Sequence, residues 1–142
     1  MVDIKHMIAI KAPAEKVFPL VATGAGFSQW WAADVTESGE ETTLGFFKRA
    51  TVYRLHRERS AAPREIEWRC LSGHEWEGTR IVFQLKEEKG TTQVRFTHGD
   101  WKSETDYFTS CNTTWGELMF RLKAAAEEKA PGPLFSAIDI AY

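Results

Sequence analysis

Hydrophobic and polar residues alternate in three consecutive segments near the centre of the chain, residues 64–71, 79–87 and 91–100. Successive side chains of a β-strand point to opposite faces of a sheet, so a period of two predicts strands that are buried on one face only. Lys89 and Gly90 form a strong turn signal between the last two segments. The pattern therefore predicts an antiparallel meander with one packed face and one wet face.

The segments before this meander carry further element signals. Residues 4–10 alternate as one strand, and Pro13 then favours the start of a helix. The remaining signals predict a short or kinked helix at 14–22, about one more helical turn at 27–31, strands at 42–49 and 51–59, and a polar loop at 60–63.

The hydrophobic period changes from two to three or four after the meander, which indicates a long helix. Ser103 and Asp106 form the expected N-cap pair, and a later start capped by Thr114 with Glu117 is the alternative. The helix is expected to stop before Pro131. At ~1.5 Å per residue, roughly 25 residues would span about 37 Å, so the helix must lie across the sheet. Its apolar stripe consists of Phe108, Cys111, Trp115, Leu118, Leu122 and Ala125.

The composition limits the class of protein. A chain of 142 residues suits a single domain spanning residues 1–142, with a C-terminal tail at about 131–142 whose Leu134, Phe135, Ile138 and Ile140 are expected to dock on the surface. A net charge of −2 gives no electrostatic case for nucleic acid, and no apolar run is long enough for membrane insertion. The N-terminus lacks a signal-peptide pattern, and the two cysteines have no metal-like spacing, so a cytoplasmic location is expected.

Two long segments of the chain resemble a known family. Residues 8–32 read IAIKAPAEKVFPLVATGAGFSQWWA, and residues 95–127 read RFTHGDWKSETDYFTSCNTTWGELMFRLKAAAE. Together they are similar to the branch of the START-like (SRPBCC) superfamily named for the activator of heat-shock-protein-90 ATPase, which is often grouped with polyketide cyclases and birch-pollen-allergen-like proteins. The resemblance implies an α+β helix-grip fold, in which a curved antiparallel sheet surrounds a long C-terminal helix and leaves a cavity between them.

The inward positions of the strands and of the helix stripe would line that cavity. Trp30 is expected to pack under the short helices against Phe18 and Phe27, while Trp31 would form a gate or an upper wall at the cavity mouth. The alternative is that both rings are ordinary core residues. The expected lining consists of Trp31, Tyr53, Trp68, Cys70, Phe83, Phe96, His98, Phe108, Cys111, Trp115 and Leu118.

Candidate catalytic groups do not converge in the sequence. His6 and His98 face inward by alternation, but they lie on the first and last strands, which are unlikely neighbours unless the sheet closes. Cys70 and Cys111 are better explained as small buried hydrophobic residues than as nucleophiles. Acidic side chains near the helix start, Asp100, Glu104 and Asp106, are explained by capping at least as well as by a metal site.

Three functions follow as hypotheses from the sequence and its resemblance. The leading one is binding of an unidentified small hydrophobic, lipid-like or aromatic molecule in the cavity, oriented by His6, Tyr53 and His98, with no cofactor and no metal. The second is a co-chaperone-like interaction module that stimulates a heat-shock chaperone ATPase through its outer surface. That hypothesis ranks lower, because the chain is not expected to carry the additional N-terminal domain of the eukaryotic co-chaperones. The third is a cyclase or aromatase, and the partners considered include a chaperone and a second copy of the chain.

Overall fold

A seven-stranded antiparallel sheet forms most of the protein in the computed structural model, which describes residues 1–136. The sheet order is β1-β7-β6-β5-β4-β3-β2. The predicted meander is therefore confirmed, and β1 pairs with β7 along its length. The strands are β1 (Val2–Ile10), β2 (Asp34–Ser38), β3 (Glu41–Phe46), β4 (Thr51–Ala61), β5 (Glu65–Ser72), β6 (Arg80–Glu88) and β7 (Thr91–Trp101).

The adjacency of β1 and β7 corrects the expectation that the first and last strands are unlikely neighbours. His6 lies opposite Phe96, and Ile4 lies opposite His98. The sequence pattern could not predict this pairing. Alternation within a strand shows which face is buried, but it does not show which strand lies beside it. The two histidines share one face of neighbouring strands without being cross-strand partners.

Within residues 1–136, three α-helices accompany the sheet: α1 (Ala14–Ala22), α2 (Gly24–Phe27) and the long α3 (Asp106–Ala126). α3 has 21 residues, which at ~1.5 Å each gives about 32 Å. Its N-cap is Thr105 rather than Ser103, and the Thr105 hydroxyl oxygen accepts from the Phe108 N–H at 3.2 Å. The start expected near residue 103 is thus confirmed, and the alternative start at Thr114 is wrong.

The acidic segment before β3 forms an edge strand, β2, that the sequence pattern did not predict. Its residues are half-buried or exposed, so no alternation of buried and exposed side chains marks it. The strand expected at 42–49 ends earlier, because Phe47, Lys48 and Arg49 all have positive φ. The polar loop expected at 60–63 occupies residues 62–64 between β4 and β5, since β4 continues to Ala61 and β5 begins at Glu65.

Close packing of α1 and α2 positions the paired tryptophans. A Cβ on Gly26 would lie 2.1 Å from the Pro19 carbonyl oxygen, so only glycine allows the two helices to approach this closely. The chain then turns directly into Trp30 and Trp31, which are 0% and 1% exposed. The side chains of both tryptophans therefore enter the core from one short turn of the chain.

The C-terminal strap, residues 131–136, crosses the same end of the sheet. Leu134 and Phe135 donate their backbone N–H groups to the carbonyls of Trp30 and Trp31 at 3.1 and 3.0 Å. Arg121 of α3 donates to the carbonyls of Pro131 and Gly132 at 2.8 and 3.1 Å. The expected docking of Leu134 and Phe135 is therefore present, while Ile138 and Ile140 lie outside the described residues.

Candidate ligand pocket

A narrow aromatic pocket lies where β3, β4, α3 and the C-terminal strap meet. Its empty volume is about 360 Å³ including the part open to solvent, but most of that space is too narrow to hold a water molecule. In this conformation a ligand larger than water must therefore displace a side chain. The lining residues are Trp31, Phe46, Phe47, Thr51, Tyr53, Trp76, Tyr107, Cys111, Thr114, Trp115, Leu118 and Phe135.

The residues expected to line a cavity divide into two sets in the structure. Trp31, Tyr53, Cys111, Trp115 and Leu118 border the pocket. The other six are buried in the core and do not border it: Trp68, Cys70, Phe83, Phe96, His98 and Phe108.

Aromatic rings fill the region that the second set was expected to leave hollow. Phe96 packs on Phe83 with ring centroids 5.2 Å apart, and on Trp115 at 4.3 Å. The Trp68 indole N–H donates to the Val21 carbonyl at 2.9 Å, which fixes that ring under α1. Strand parity identifies inward positions, but it does not distinguish a position beside empty space from one in contact with another ring.

The two adjacent tryptophans have different roles. The Trp30 ring lies edge-on to Phe27 at 6.1 Å, and its indole N–H donates to the Leu20 carbonyl at 2.8 Å. Trp31 stacks beside Trp30 at 5.8 Å, contacts Trp115 at 4.9 Å, and borders the pocket. At 1% exposed, Trp31 is a wall of the pocket and has no solvent-facing surface in this state.

Trp76 is a wall residue that the sequence did not indicate. It lies on a single turn of 3-10 helix, His74–Trp76, between β5 and β6, where no periodicity marks it. Its ring stacks on Tyr53 with centroids 3.8 Å apart and planes 6° from parallel. The pocket wall therefore includes a stacked pair of aromatic rings, Tyr53 and Trp76.

Two tyrosines and a cysteine contribute polar atoms to the pocket, beside the hydroxyls of Thr51 and Thr114. The hydroxyl groups of Tyr53 and Tyr107 hydrogen-bond to each other, and the Tyr107 ring stacks on His74 at 4.2 Å. Burial raises the pKa of Tyr107 to about 12 and that of the Cys111 thiol to about 11. Both groups are thus protonated and uncharged at neutral pH, and the cysteine is a weak nucleophile.

His98 is buried in a directional chain of hydrogen bonds behind the pocket. The Trp115 indole N–H can only donate, so Nδ1 of His98 is the acceptor at 3.1 Å and Nε2 carries the proton. Nε2 then donates to the Thr79 hydroxyl at 2.9 Å, and that hydroxyl donates to the Trp76 carbonyl at 2.6 Å. Burial lowers the pKa of His98 to about 3, so the imidazole is neutral and both its nitrogens are engaged. His98 therefore offers no free proton donor or acceptor to a ligand.

Cys70 and Asp100, two of the remaining candidate groups, also lie apart from the pocket. Both Cys70 and the pocket residue Cys111 are free thiols, and the Cys70 thiol donates to the Ser72 carbonyl at 3.4 Å. Asp100 forms ion pairs with Arg69 and Arg80, each at 3.3 Å. Within residues 1–136, no group of three or more potential metal ligands lies together, and no helix is both long and apolar enough to cross a membrane.

The curved sheet, the long C-terminal helix and the pocket between them define a helix-grip protein of the START-like class. The sequence profile described as "Activator of Hsp90 ATPase homolog 1-like protein" matches residues 11–127. The chain belongs to this family. No functionally curated protein matches it.

Solved structures of similar proteins agree with this assignment. The solution structure of the Aha1 dimer from Colwellia psychrerythraea is 33% identical, covers 90% of this chain and 98% of its own, and has a TM-score of 0.78. The proteins SSP2350 from Staphylococcus saprophyticus and BH1534 from Bacillus halodurans are each 20% identical, with TM-scores of 0.72 and 0.70. They cover 91% and 89% of this chain and 94% and 97% of their own, and at that identity they show the fold alone.

Proposed function

We propose that this protein binds a small, uncharged hydrophobic or aromatic molecule in the pocket between the sheet and α3. The observation that carries the proposal is the lining: eight of the twelve side chains are aromatic and none is charged. Concave, mainly aromatic sites with a few polar groups are typical of ligand pockets. A carboxylate or phosphate placed there would lose its hydration without gaining an oppositely charged partner, which argues against charged ligands.

The C-terminal strap is the element that would move to admit a ligand. Phe135 closes one side of the pocket and lies edge-on to Phe46 and Phe47, with centroids 5.0 and 6.0 Å away. The other lining residues belong to the sheet, to α3, to the connection between α2 and β2, or to short connections between strands. Release of the strap would open space without disturbing the strand ladder.

A fluorescence titration tests the proposal, because Trp31, Trp76 and Trp115 all border the pocket. Fatty alcohols, sterols and polycyclic aromatic ketones would be added while tryptophan emission is followed. We expect a saturable change with at least one of these classes. The absence of a saturable response to all of them would contradict the proposal.

Two neighbouring threonines of α3 provide a matched pair of variants. Thr114 borders the pocket, whereas Thr113 is exposed, and each hydroxyl donates to the carbonyl four residues earlier. Thr114→Phe should fill the pocket and abolish the response, and Thr113→Phe should leave it unchanged. Loss of binding in both variants would indicate a site on the surface of α3 instead.

The family assignment and the Aha1 relative at 33% identity favour a second candidate function, stimulation of a heat-shock chaperone ATPase. That activity would use the outer surface rather than the pocket. A pull-down with an Hsp90-type chaperone and an ATPase assay test it directly. Thr114→Phe separates the two functions, since it should block ligand binding and leave ATPase stimulation intact.

A further inference from the structure

Three buried side-chain nitrogens within the described residues have no hydrogen-bonding partner: His6 Nε2, Trp76 Nε1 and Trp101 Nε1. Trp76 belongs to the pocket wall, while His6 and Trp101 do not. The Trp76 side chain is 4% exposed, and its Nε1 atom is itself buried. Buried donors are nearly always paired in folded proteins, so an unpaired donor on a pocket wall needs an explanation.

The neighbour of the Trp76 indole N–H is the thiol of Cys111, another pocket residue. Interactions with Trp76 and with Tyr107 both act to lower the pKa of that thiol, but burial outweighs them and keeps it protonated. A neutral thiol sulfur is a weak acceptor. The Trp76 N–H therefore lies beside a weak acceptor that also borders the pocket, and a better acceptor would displace it.

Other polar groups near this point are already bonded. The Trp115 indole N–H donates to His98, the Thr114 hydroxyl donates to the Ser110 carbonyl at 3.2 Å, and the hydroxyls of Tyr53 and Tyr107 bond to each other. The Trp76 N–H, in contrast, is buried without a partner, and it is a neutral donor. Its complement is a hydrogen-bond acceptor that carries no charge.

We infer that Trp76 Nε1 is a specificity-determining donor, and that the pocket selects uncharged planar molecules whose carbonyl oxygen, attached to an aromatic or conjugated ring, accepts its proton. The inference rests on the proposed function. The ring of such a molecule would pack among the aromatic walls, and the carbonyl would take the place of the Cys111 sulfur as acceptor. An analogue without the oxygen would leave the indole N–H buried and unpaired.

Acetophenone and α-methylstyrene form a suitable pair of probes, because they have nearly the same shape and differ in having C=O or C=CH₂. Each is titrated into ¹⁵N-labelled wild-type protein, Trp76→Phe and Trp101→Phe, with indole and methyl resonances followed by NMR. Trp101→Phe is the matched control, because Trp101 is also buried with an unpaired Nε1 but lies outside the pocket. Comparing the ratio of the two affinities removes the difference in hydrophobicity between the probes.

We expect Trp76→Phe to lower the ratio of ketone affinity to alkene affinity about tenfold, as for loss of one hydrogen bond, and Trp101→Phe to leave it unchanged. In the wild type, acetophenone and not α-methylstyrene should shift the Trp76 indole resonance downfield. This second readout does not depend on any variant folding correctly. An unchanged ratio in Trp76→Phe, or equal indole shifts from both probes, would overturn the inference while leaving pocket binding intact. Failure of both probes to bind would overturn the proposed function as well.

Discussion

Trp115 of α3 donates its indole N–H to Nδ1 of His98 on β7 at 3.1 Å, in a region where His98 is 0% exposed. The bond determines the tautomer of His98 and directs its other nitrogen to Thr79. Thr79 in turn donates to the Trp76 carbonyl, so one line of hydrogen bonds connects α3, β7 and the turn that carries Trp76. The pocket wall is therefore positioned by polar contacts behind it as well as by ring packing.

Removal of the Thr79 hydroxyl should break this line. Thr79 is 1% exposed, so Thr79→Val would leave the His98 Nε2–H buried without its partner, while the Trp76 carbonyl would keep only the backbone N–H of residue 79 as donor. We expect the free energy of unfolding to fall by about 1–3 kcal/mol, measured by urea denaturation. Thr91→Val, at an exposed position on β7, is the control and should change it by less than about 0.5 kcal/mol. Equal effects in the two variants would show that the hydrogen bonds contribute nothing.

His98 should also make stability depend on pH. Burial lowers its pKa from 6.5 to about 3, so the folded state holds the neutral form and protonation favours unfolding. The stabilisation is complete above pH 6.5 and is lost as the pH falls from 6.5 toward 3, at up to roughly 1.4 kcal/mol per unit. His98→Gln keeps an acceptor and a donor but does not titrate. The difference in unfolding free energy between wild type and His98→Gln should therefore shrink from pH 7 to pH 4, and a constant difference would contradict this.

Alanine substitutions at two glycines, Gly26 and Gly116, are expected to change the stability of the protein in opposite directions. At Gly26 an added Cβ would meet the Pro19 carbonyl oxygen at 2.1 Å, so Gly26→Ala must push α1 and α2 apart and should destabilise by about 1–3 kcal/mol. Within α3, a Cβ at Gly116 has His6 Cε1 as its nearest neighbour, at an ordinary contact distance of 3.6 Å. Gly116→Ala should stabilise by about 0.5–1 kcal/mol through helix propensity. Thermal melts of the two variants would show melting temperatures that move in opposite directions, and a shared direction would refute the packing argument.

Arg57 is expected to contribute more to stability than the other arginines of its hairpin. Its guanidinium donates to the Ala22 carbonyl at the end of α1 at 2.8 Å, and it lies 5.0 Å from the Trp68 ring centroid. Arg57→Ala should cost about 1–2 kcal/mol in denaturant unfolding, because it removes a helix cap and a cation–π contact. Arg59 is the control, because it forms ion pairs at the surface and its side chain is 64% exposed. Arg59→Ala should lower the free energy of unfolding by less than about 0.5 kcal/mol. Comparable losses would indicate that surface ion pairing dominates.

The sequence was sufficient for the fold and only partly for the site. The alternation of apolar and polar residues predicted the central strands, because each of them buries one face. It did not predict β2, because neither face of that strand is well buried. Inward parity included Tyr53 and Trp115 in the pocket wall, but it also included Trp68, which other rings enclose. Trp76 and Phe135 lie in non-repetitive segments whose positions depend on tertiary contacts, so no local pattern could identify them as wall residues.

The C-terminal strap is expected to close the pocket through Phe135. Phe135 is 6% exposed and packs on Phe46, so Phe135→Ala should open the mouth and cost about 1–3 kcal/mol of stability. The tryptophans behind it should then become more accessible to acrylamide, and ligand association should become faster.

Leu134→Ala is the matched control for this change, since Leu134 packs against the core from the same strap but does not border the pocket. It should lower stability without raising the accessibility of the tryptophans. Acrylamide quenching and stopped-flow binding, both carried out well below the melting temperature of each variant, separate opening of the mouth from general loosening. Equal quenching in Phe135→Ala and wild type would mean that ligands enter elsewhere, because removing a phenyl ring from the mouth can only widen it.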